Sequence, residues 1–335
     1  MKPRESSPQG EDERLVSRTR GFLSEEALPA AMRLGIYRDC ETGKSSPQGE
    51  DERLVSRTRG FLSEEALPAD LKIMERTILL TIEYDGTGFS GWQRQPGKRT
   101  VQGELERVLS VLCAGPVQID GTGRTDAGVH ALGQCASFSG EFSIPTESIA
   151  KAANDMLAES RLRGGDIRVI SAREVEPGFH ARFSARGKKY VYRIRNGAQM
   201  PVFLRNYRYH VRTPLDTGAM KAALGAFEGT HDFAGFMAAG SNLRGSTVRT
   251  IWETSLKAEG GTESRDIEIS VSGNGFLYNM VRIIAGTLVD VGSGRILPEM
   301  IPEIIASGDR SRAGHTAPPQ GLYMAEVYFQ EKSDG

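Results

Sequence analysis

The sequence predicts an α+β protein in which two βαββαβ halves surround a central, mainly antiparallel sheet. Three observations support this prediction. Several segments alternate apolar and polar residues, and this period of two is typical of half-buried strands. Other segments place their apolar residues at helical spacing. The strand and helix segments follow the same order twice along the chain, although the two halves differ in sequence.

The first half begins with a strand over residues 76–84, where apolar or aromatic residues occupy alternate positions. Thr100 is a suitable N-cap for the helix that follows, whose apolar residues run from Val101 to Leu112 at helical spacing. The other predicted elements of this half are strands near 117–120 and 133–139, a helix near 146–157 and a strand near 166–175.

The second half repeats this order and ends in additional elements. A helix opens at Pro298, because proline is favoured in the first turn of a helix. The other predicted elements are strands over 188–195, 247–257, 266–272 and 322–329, and helices near 215–227 and 277–291. The two ferredoxin-like halves correspond to predicted subdomains over residues 74–176 and 177–330.

A verbatim repeat sets the N-terminal segment apart. The 25 residues from Ser6 to Ala30 recur without a change as Ser45 to Ala69. Two identical copies rich in Ser, Pro, Glu and Arg cannot build a shared core. We interpret residues 1–73 as a disordered extension that arose from a mis-assigned translation start or a recent local duplication. A regulatory or tethering arm is the alternative.

The composition is that of an ordinary soluble globular protein, with 39% hydrophobic and 25% charged residues among 335. Forty-two Lys and Arg against 43 Asp and Glu exclude an overall positive field, so any affinity for nucleic acid must be local. The three cysteines lack C-x-x-C spacing, which favours a reducing compartment without structural zinc. No run approaches the roughly 18 apolar residues of a membrane span, and no secretion signal opens the chain. We therefore predict a cytoplasmic protein that does not contact membranes.

Positive charge is concentrated between Pro177 and Leu215, where nine Lys or Arg residues occur and no Asp or Glu. Aromatic residues are interleaved with these cations, so phosphate neutralisation and base stacking are available in one stretch. This pattern indicates contact with RNA, whose unpaired bases stack on aromatic side chains. The alternative is a solvated strand surface whose aromatic residues belong to the core. The cations for which we predict RNA contact are Arg182, Arg186, Lys188 and Lys189.

A glycine-rich loop between two predicted strands, Gly121 to His130, carries one carboxylate. Asp126 stands where a dinucleotide-binding loop needs its third glycine, and no P-loop is present, so we predict no nucleotide cofactor. A single carboxylate suits a nucleophile, and we expect the guanidinium of Arg124 to stabilise its charge. The alternative is an aspartate that closes a turn at the surface.

Arg282 is anomalous because it interrupts an otherwise apolar helix, and a buried unpaired charge is costly. We expect a partner, with a carboxylate across the cleft as one candidate and an exposed, snorkelling arginine as the alternative. The five histidines show no paired metal spacing, and no serine-triad elbow occurs. We therefore expect neither a metal nor a cofactor.

The segment Gly123 to His130 (GRTDAGVH) closely resembles the catalytic loop of the tRNA pseudouridine synthase A family. Four other motifs resemble that family in the same order between about residue 77 and residue 329, which makes the resemblance specific. Residues 1–73 lie outside it. The four motifs are Tyr84 to Gln93 (YDGTGFSGWQ), His180 to Ala185 with Lys189 to Tyr192, Phe276 with Met280 to Arg282, and Ala313 to Leu322 (AGHTAPPQGL).

The resemblance implies a pseudouridine synthase fold and a cofactor-free, homodimeric isomerase. Its substrate would be tRNA, in which uridine becomes pseudouridine at positions 38, 39 and 40 of the anticodon stem-loop. Asp126 matches the catalytic aspartate and is the expected nucleophile, Tyr190 matches the tyrosine that contacts the target base, and Arg124 matches the loop arginine. Arg282 matches the basic residue that pairs with the aspartate. Leu322, in the last matched motif, is expected to contact the substrate.

Other classes of function remain alternatives. A non-catalytic RNA-binding or RNA-folding module would keep the basic, aromatic stretch but would not need an ionised carboxylate in the glycine-rich loop. The glycine spacings match neither a dinucleotide-binding loop nor a P-loop, which argues against a nucleotide-binding phosphotransferase. For the enzyme, three routes are open to Asp126: attack on C1′, addition to C6, or removal of a sugar proton.

Overall fold

Ten strands and five α-helices make up the part of the chain that the computed structural model describes, residues 74–158, 165–240, 245–261 and 263–329. The strands are β1 (Met74–Tyr84), β2 (Asp120–Gly121), β3 (His130–Phe142), β4 (Ile167–Val175), β5 (Ala185–Gly197), β6 (Tyr209–Val211), β7 (Gly229–Asp232), β8 (Val248–Gly260), β9 (Ser264–Gly273) and β10 (Leu322–Phe329). The α-helices are α1 (Val101–Leu112), α2 (Thr146–Ala158), α3 (Thr217–Leu224), α4 (Met280–Gly292) and α5 (Ile301–Ser307).

All ten strands join one sheet. Eight of them follow the order β4-β1-β3-β10-β5-β9-β8-β7, while β2 pairs with β3 and β6 with β5. The pairs are antiparallel except β10 with β3 and β5 with β6. Because β10 inserts between β3 and β5, it joins the two halves of the chain in a continuous sheet. The predicted α+β class with a central, mainly antiparallel sheet is confirmed.

The first half has the predicted βαββαβ order. Thr100 caps α1 as expected, since its hydroxyl accepts a hydrogen bond from the Gly103 amide. The strand predicted near 117–120 is wrong in extent, because β2 contains only two residues. Side chains of α1 take the hydrogen bonds that a longer strand would form: Ser110 accepts from the Val117 amide and Glu106 from the Ile119 amide.

The second half contains two strands that the sequence did not predict. β6 and β7 have three and four residues, too few to show a period of two. The helix predicted near 215–227 ends earlier, as α3 gives way to a 3-10 turn at residues 225–227. The helix predicted at Pro298 begins with a 3-10 turn over residues 298–300 before α5.

The predicted division into subdomains at residue 176 stays a prediction, and the predicted N-terminal extension, residues 1–73, lies outside the described residues. Cys113 and Cys135, the two cysteines in the described part, are free thiols. None of the helices described combines the length and the apolar character needed to cross a membrane.

Helix α4 packs against the segment 313–317 through Gly286. A Cβ added to Gly286 would lie 1.8 Å from the carbonyl oxygen of His315, so only glycine lets the two backbones approach this closely. The Ala317 amide donates to the carbonyl of Arg282, which ties the same segment to the first turn of α4. This packing fixes the position from which the Arg282 side chain extends.

We expect Gly286→Ala to lower the free energy of unfolding by about 3 kcal/mol, because the methyl group forces a backbone shift in a packed core. Urea unfolding measures this change. Gly225→Ala is the matched control, since a Cβ there meets no atom within 4 Å and the backbone is helical. It should be neutral or raise the free energy of unfolding by up to about 1 kcal/mol. Equal stability of the two variants would contradict the packing argument.

Candidate active site

The segment between β2 and β3, residues 122–129, forms a loop that we call the aspartate loop. Its backbone is held from outside, because the Trp92 amide donates to the carbonyl of Thr125 at 3.0 Å. The hydroxyls of Tyr84 and Thr125 are hydrogen-bonded at 2.7 Å. Gly91 has a φ of +91°, and a Cβ there would lie 2.7 Å from the Thr125 carbonyl oxygen. The motif that starts at Tyr84 therefore holds the aspartate loop in place through its contacts with Thr125.

Asp126 forms an ion pair with Arg282, and its Oδ2 accepts from Nη1 at 3.2 Å. The Arg282 Nε donates to the Ala317 carbonyl at 2.7 Å, and Nη1 also donates to Oδ1 of Asn279 at 2.7 Å. The side chain of Arg282 is 15% exposed and that of Asp126 is 36% exposed. The expected carboxylate partner of Arg282 is thus present. Oδ1 of Asp126 accepts no hydrogen bond from the residues described.

The structure corrects the expected position of Arg124. Its side chain is exposed and forms no ion pair within the described part of the chain. The guanidinium next to Asp126 comes from Arg282 in α4, because the loop turns Arg124 toward solvent while α4 faces Asp126. Arg124 still lines the cavity into which Asp126 opens.

That cavity has a volume of about 730 Å³, within the range of roughly 300 to 1,000 Å³ typical of ligand sites. It brings together residues from the aspartate loop, β5, α4 and the start of β10. The predicted site residues that line it are Arg124, Asp126, Lys188, Tyr190, Arg282 and Leu322, together with Arg182 at its edge.

Tyr190 forms part of the wall and is 8% exposed. Its ring contacts Phe276 edge to face, with ring centres 5.1 Å apart. Burial raises the pKa of Tyr190 well above its ordinary value, and the nearby Tyr84 and Asp126 add to this effect. The hydroxyl therefore stays protonated at neutral pH, which disfavours a role as a base.

Several cations of the basic stretch are paired with carboxylates and are therefore less available to RNA than the sequence indicated. On one side of β5, Arg193 pairs with Glu268 at 3.0 Å and Arg195 with Asp266 at 3.2 Å. Arg208 is also 3.7 Å from Asp266. The carboxylates that neutralise these arginines thus come from strand β9, which lies outside the basic stretch of the sequence.

Among the four cations predicted to contact RNA, Arg182 and Lys188 line the cavity. Arg186 and Lys189 are not among its lining residues, and their contact with RNA stays a prediction. No group of three or more His, Cys, Asp or Glu suited to a metal occurs in the described residues.

Sequence reasoning missed His130, which anchors the end of the aspartate loop. Its Nδ1 accepts from the Gly86 amide at 3.1 Å, and its Nε2 donates to the Asn206 carbonyl at 2.9 Å. The ring also stacks on Tyr323, with centres 4.8 Å apart. The spacing of the histidines, which bears on metal binding, does not reveal this role. The signal available was its place at the boundary between the loop and a predicted strand.

Comparison with known proteins agrees with this geometry. A family profile described as tRNA pseudouridine synthase matches residues 80–184 and 223–330. A tRNA pseudouridine synthase A of Ruminiclostridium cellulolyticum is 47% identical over 254 residues, which cover 76% of this chain and 100% of the relative. The chain belongs to the tRNA pseudouridine synthase A family. Its reaction class is therefore isomerisation.

Two further members of the family support the assignment. A tRNA pseudouridine synthase A of Geobacillus sp. (strain WCH70) is 47% identical over 257 residues, which cover 76% of this chain and 99% of the relative. The corresponding protein of Caldicellulosiruptor bescii is 46% identical over 254 residues, covering 76% of this chain and 100% of the relative. A solved Cbf5-Nop10-Gar1 complex gives a TM-score of only 0.29 at 10% identity, over 75% of this chain and 59% of that chain, which is too low to support an argument.

In this family member, we expect stability to depend on pH through His130. Burial lowers the pKa of His130 below its ordinary value of about 6.5, against the opposing effect of Asp85. The folded state therefore holds the ring neutral, whereas the unfolded state takes up a proton near pH 6.5. The contribution of His130 to stability is complete above pH 6.5 and is lost as the pH falls through the lower, folded-state pKa.

Urea unfolding between pH 7 and pH 5 tests this dependence. Wild type should lose stability with a slope that includes up to about 1.4 kcal/mol per pH unit from one proton. His130→Asn should be less stable at pH 7 but should have a shallower slope. Identical slopes for the two proteins would show that His130 is not the titrating group.

Proposed function

We propose that this protein converts uridine to pseudouridine at positions 38, 39 and 40 of the anticodon stem-loop of tRNA, with Asp126 as the nucleophile. The observation that carries the proposal is the Asp126 carboxylate, held by Arg282 at the wall of a cavity beside Tyr190. The reaction breaks the bond from C1′ to N1, turns the bound uracil and joins C1′ to C5. C5 then loses its proton and N1 gains one, so the product is an isomer of the substrate. The reaction exchanges no electrons and needs no outside group.

The ion pair suits a carboxylate that must work in a partly dry site. Arg282 binds one oxygen of Asp126 and leaves Oδ1 without a partner among the described residues, so Oδ1 can approach the substrate. When tRNA covers the cavity and excludes water, the guanidinium compensates the charge that water would otherwise solvate. Attack on C1′, addition to C6 and removal of a sugar proton all use this same oxygen.

The target base must leave its stack before it reaches Asp126, at a cost of a few kcal/mol. The walls of the cavity offset this cost through apolar contact, with Tyr190, Phe276 and Leu322 lining it. Because the Tyr190 hydroxyl stays protonated, its first role is contact with the base. The exposed Phe183 lies beside Arg182, whose guanidinium is 5.9 Å from the ring centre, and offers a further stacking surface at the edge.

The wider proposal follows the family resemblance. The substrate partner is tRNA, and the protein acts as a homodimer in the cytoplasm. Arg124 binds the substrate, and the residues that contact the RNA are Arg182, Arg186, Lys188 and Lys189. Arg124, Arg182 and Lys188 have support from their place on the cavity, and Arg186 from its exposed side chain.

Asp126→Asn separates catalysis from RNA binding. We expect at least about a 10³-fold loss of pseudouridine formation, because the amide cannot act as a nucleophile. Affinity for tRNA should stay within about threefold, since the variant keeps the shape of the side chain. Modification mapping and filter binding on one unmodified tRNA measure the two effects. Asp155→Asn, an exposed position on α2, is the control and should keep full activity. Undiminished product from Asp126→Asn would refute Asp126 as the nucleophile, whereas absence of product from wild type would favour the non-catalytic alternative.

Asn279 positions Arg282 in this proposal. It adopts a left-handed backbone with φ of 60°, and its Oδ1 binds the same nitrogen of Arg282 that contacts Asp126. Asn279→Gly keeps this backbone favourable but removes the acceptor. We expect kcat to fall about tenfold, the effect of one hydrogen bond to a charged group, with KM within about twofold.

Asn279→Ala provides the matched comparison. It should lower kcat to a similar extent and, in addition, lower the free energy of unfolding by about 1 to 2 kcal/mol, because alanine disfavours the left-handed conformation. The loss of activity would then be independent of the loss of stability. Wild-type kcat in Asn279→Gly would exclude the positioning role.

A further inference from the structure

Lys188 faces the aspartate loop from β5. It lies two residues before Tyr190 on the strand, so the two side chains share the face that lines the cavity, while Lys189 lies on the other face. A Cβ added to Gly123 would be 3.4 Å from Cε of Lys188 and 3.5 Å from its Nζ. The ammonium group therefore lies against the backbone of the aspartate loop. A larger residue at position 123 would restrict the space of the Lys188 side chain.

No carboxylate neutralises Lys188 in the described part of the chain. Its cross-strand neighbours are Val327 on β10 and Gly273 on β9, and neither can ionise. Lys189, by contrast, lies opposite Glu326.

The two acidic groups of the cavity form no ion pair with Lys188. Asp126 is paired with Arg282, and Asp120 lies 3.5 Å from the ring of His180. The other titratable groups that face the cavity are cations or phenols, which cannot balance the charge of Lys188. They are Arg124 from the aspartate loop, Arg182 from the segment before β5, Tyr190 from β5, Tyr278 from the segment before α4 and Arg282 from α4.

A largely buried ammonium without a counter-ion is costly in the free protein. Burial, reinforced by the positive charge of Arg182, lowers the pKa of Lys188 to about 8. An anion that bound at this point would recover the lost solvation and restore a full positive charge. In a site for RNA, the anion available is a phosphodiester.

We propose that Lys188 is the ligand of a backbone phosphodiester next to the flipped uridine and so forms an anion subsite inside the active-site cavity. This inference rests on the proposed function, since it assumes that RNA enters the cavity. Because residue 123 is glycine, the Lys188 side chain can lie this close to the loop backbone, where Met324 also packs. Arg182 adds positive charge at the edge of the same subsite.

The subsite makes tRNA capture depend on pH above neutrality. The dependence of kcat/KM on pH reports groups of the free enzyme. As the pH rises through about 8, free Lys188 loses its proton and the phosphate loses its ligand. Between pH 7 and pH 9, kcat/KM for tRNA should therefore fall by about fivefold, while kcat at saturating tRNA changes little.

Lys188→Met tests the subsite in the full-length protein with one unmodified tRNA. At pH 7 we expect KM to rise about tenfold with kcat within about twofold, because a hydrogen bond to a charged group is lost in binding. The decline of kcat/KM above pH 8 should disappear. The magnitude of the slope of log affinity against log salt concentration should decrease by about one, the value for one phosphate contact. Thermal unfolding should show a midpoint at least as high as that of wild type, since an unpaired charge has been removed.

Lys257→Met is the matched control, as it removes the same charge from an exposed position on β8 and should leave KM and the pH profile unchanged. If wild type forms no pseudouridine, the proposed function fails, whatever Lys188 does. If wild type forms it and Lys188→Met keeps the wild-type KM and pH profile, the subsite is overturned and the proposed function stands. A loss confined to kcat would also overturn the subsite.

Discussion

The ion pair between Asp126 and Arg282 is the contact on which the rest of the site depends. Its partners are 156 residues apart and come from the two halves of the chain. A partly buried ion pair is useful only when further hydrogen bonds fix both groups, because desolvation otherwise cancels the attraction. Here Ala317 and Asn279 hold the guanidinium, and Trp92 and Tyr84 hold the loop that carries the carboxylate. The sheet, with β10 inserted between β3 and β5, keeps these supports in register.

Close backbone packing through glycine explains how the motifs that carry the family resemblance meet. Gly91 touches the aspartate loop, Gly286 touches the segment that binds Arg282, and Gly121 lies against the ring of Trp92. At each of these positions, a Cβ would be within 3.0 Å of another atom. The motifs that carry the family resemblance are thus parts of one contact network, and each supports the geometry of the others.

Local pattern was sufficient for most elements of the fold. The alternation in β1, the helical spacing in α1 and the cap at Thr100 are short-range properties, and the structure confirms them. The pattern failed in two situations: where side chains of another element took the hydrogen bonds of a strand, and where a strand was too short to show a period. Side chains of α1 shortened β2, and β6 and β7 are too short to show any period. The role of His130 does not follow from local pattern, because its partners, Gly86 and the Asn206 carbonyl, come from other parts of the chain.

The amino-acid pattern alone was enough to predict the α+β class, the doubled order of elements, the single carboxylate in the glycine-rich loop and the family to which these residues point. Which cation faces which anion follows from the three-dimensional arrangement alone: Arg282 rather than Arg124 meets Asp126, β9 neutralises Arg193 and Arg195, and Lys188 has no counter-ion among the described residues. The physical reason is that secondary structure depends on neighbours along the chain, whereas electrostatic pairing depends on distances in space. Strand order sets those distances, and strand order is a property of the whole fold.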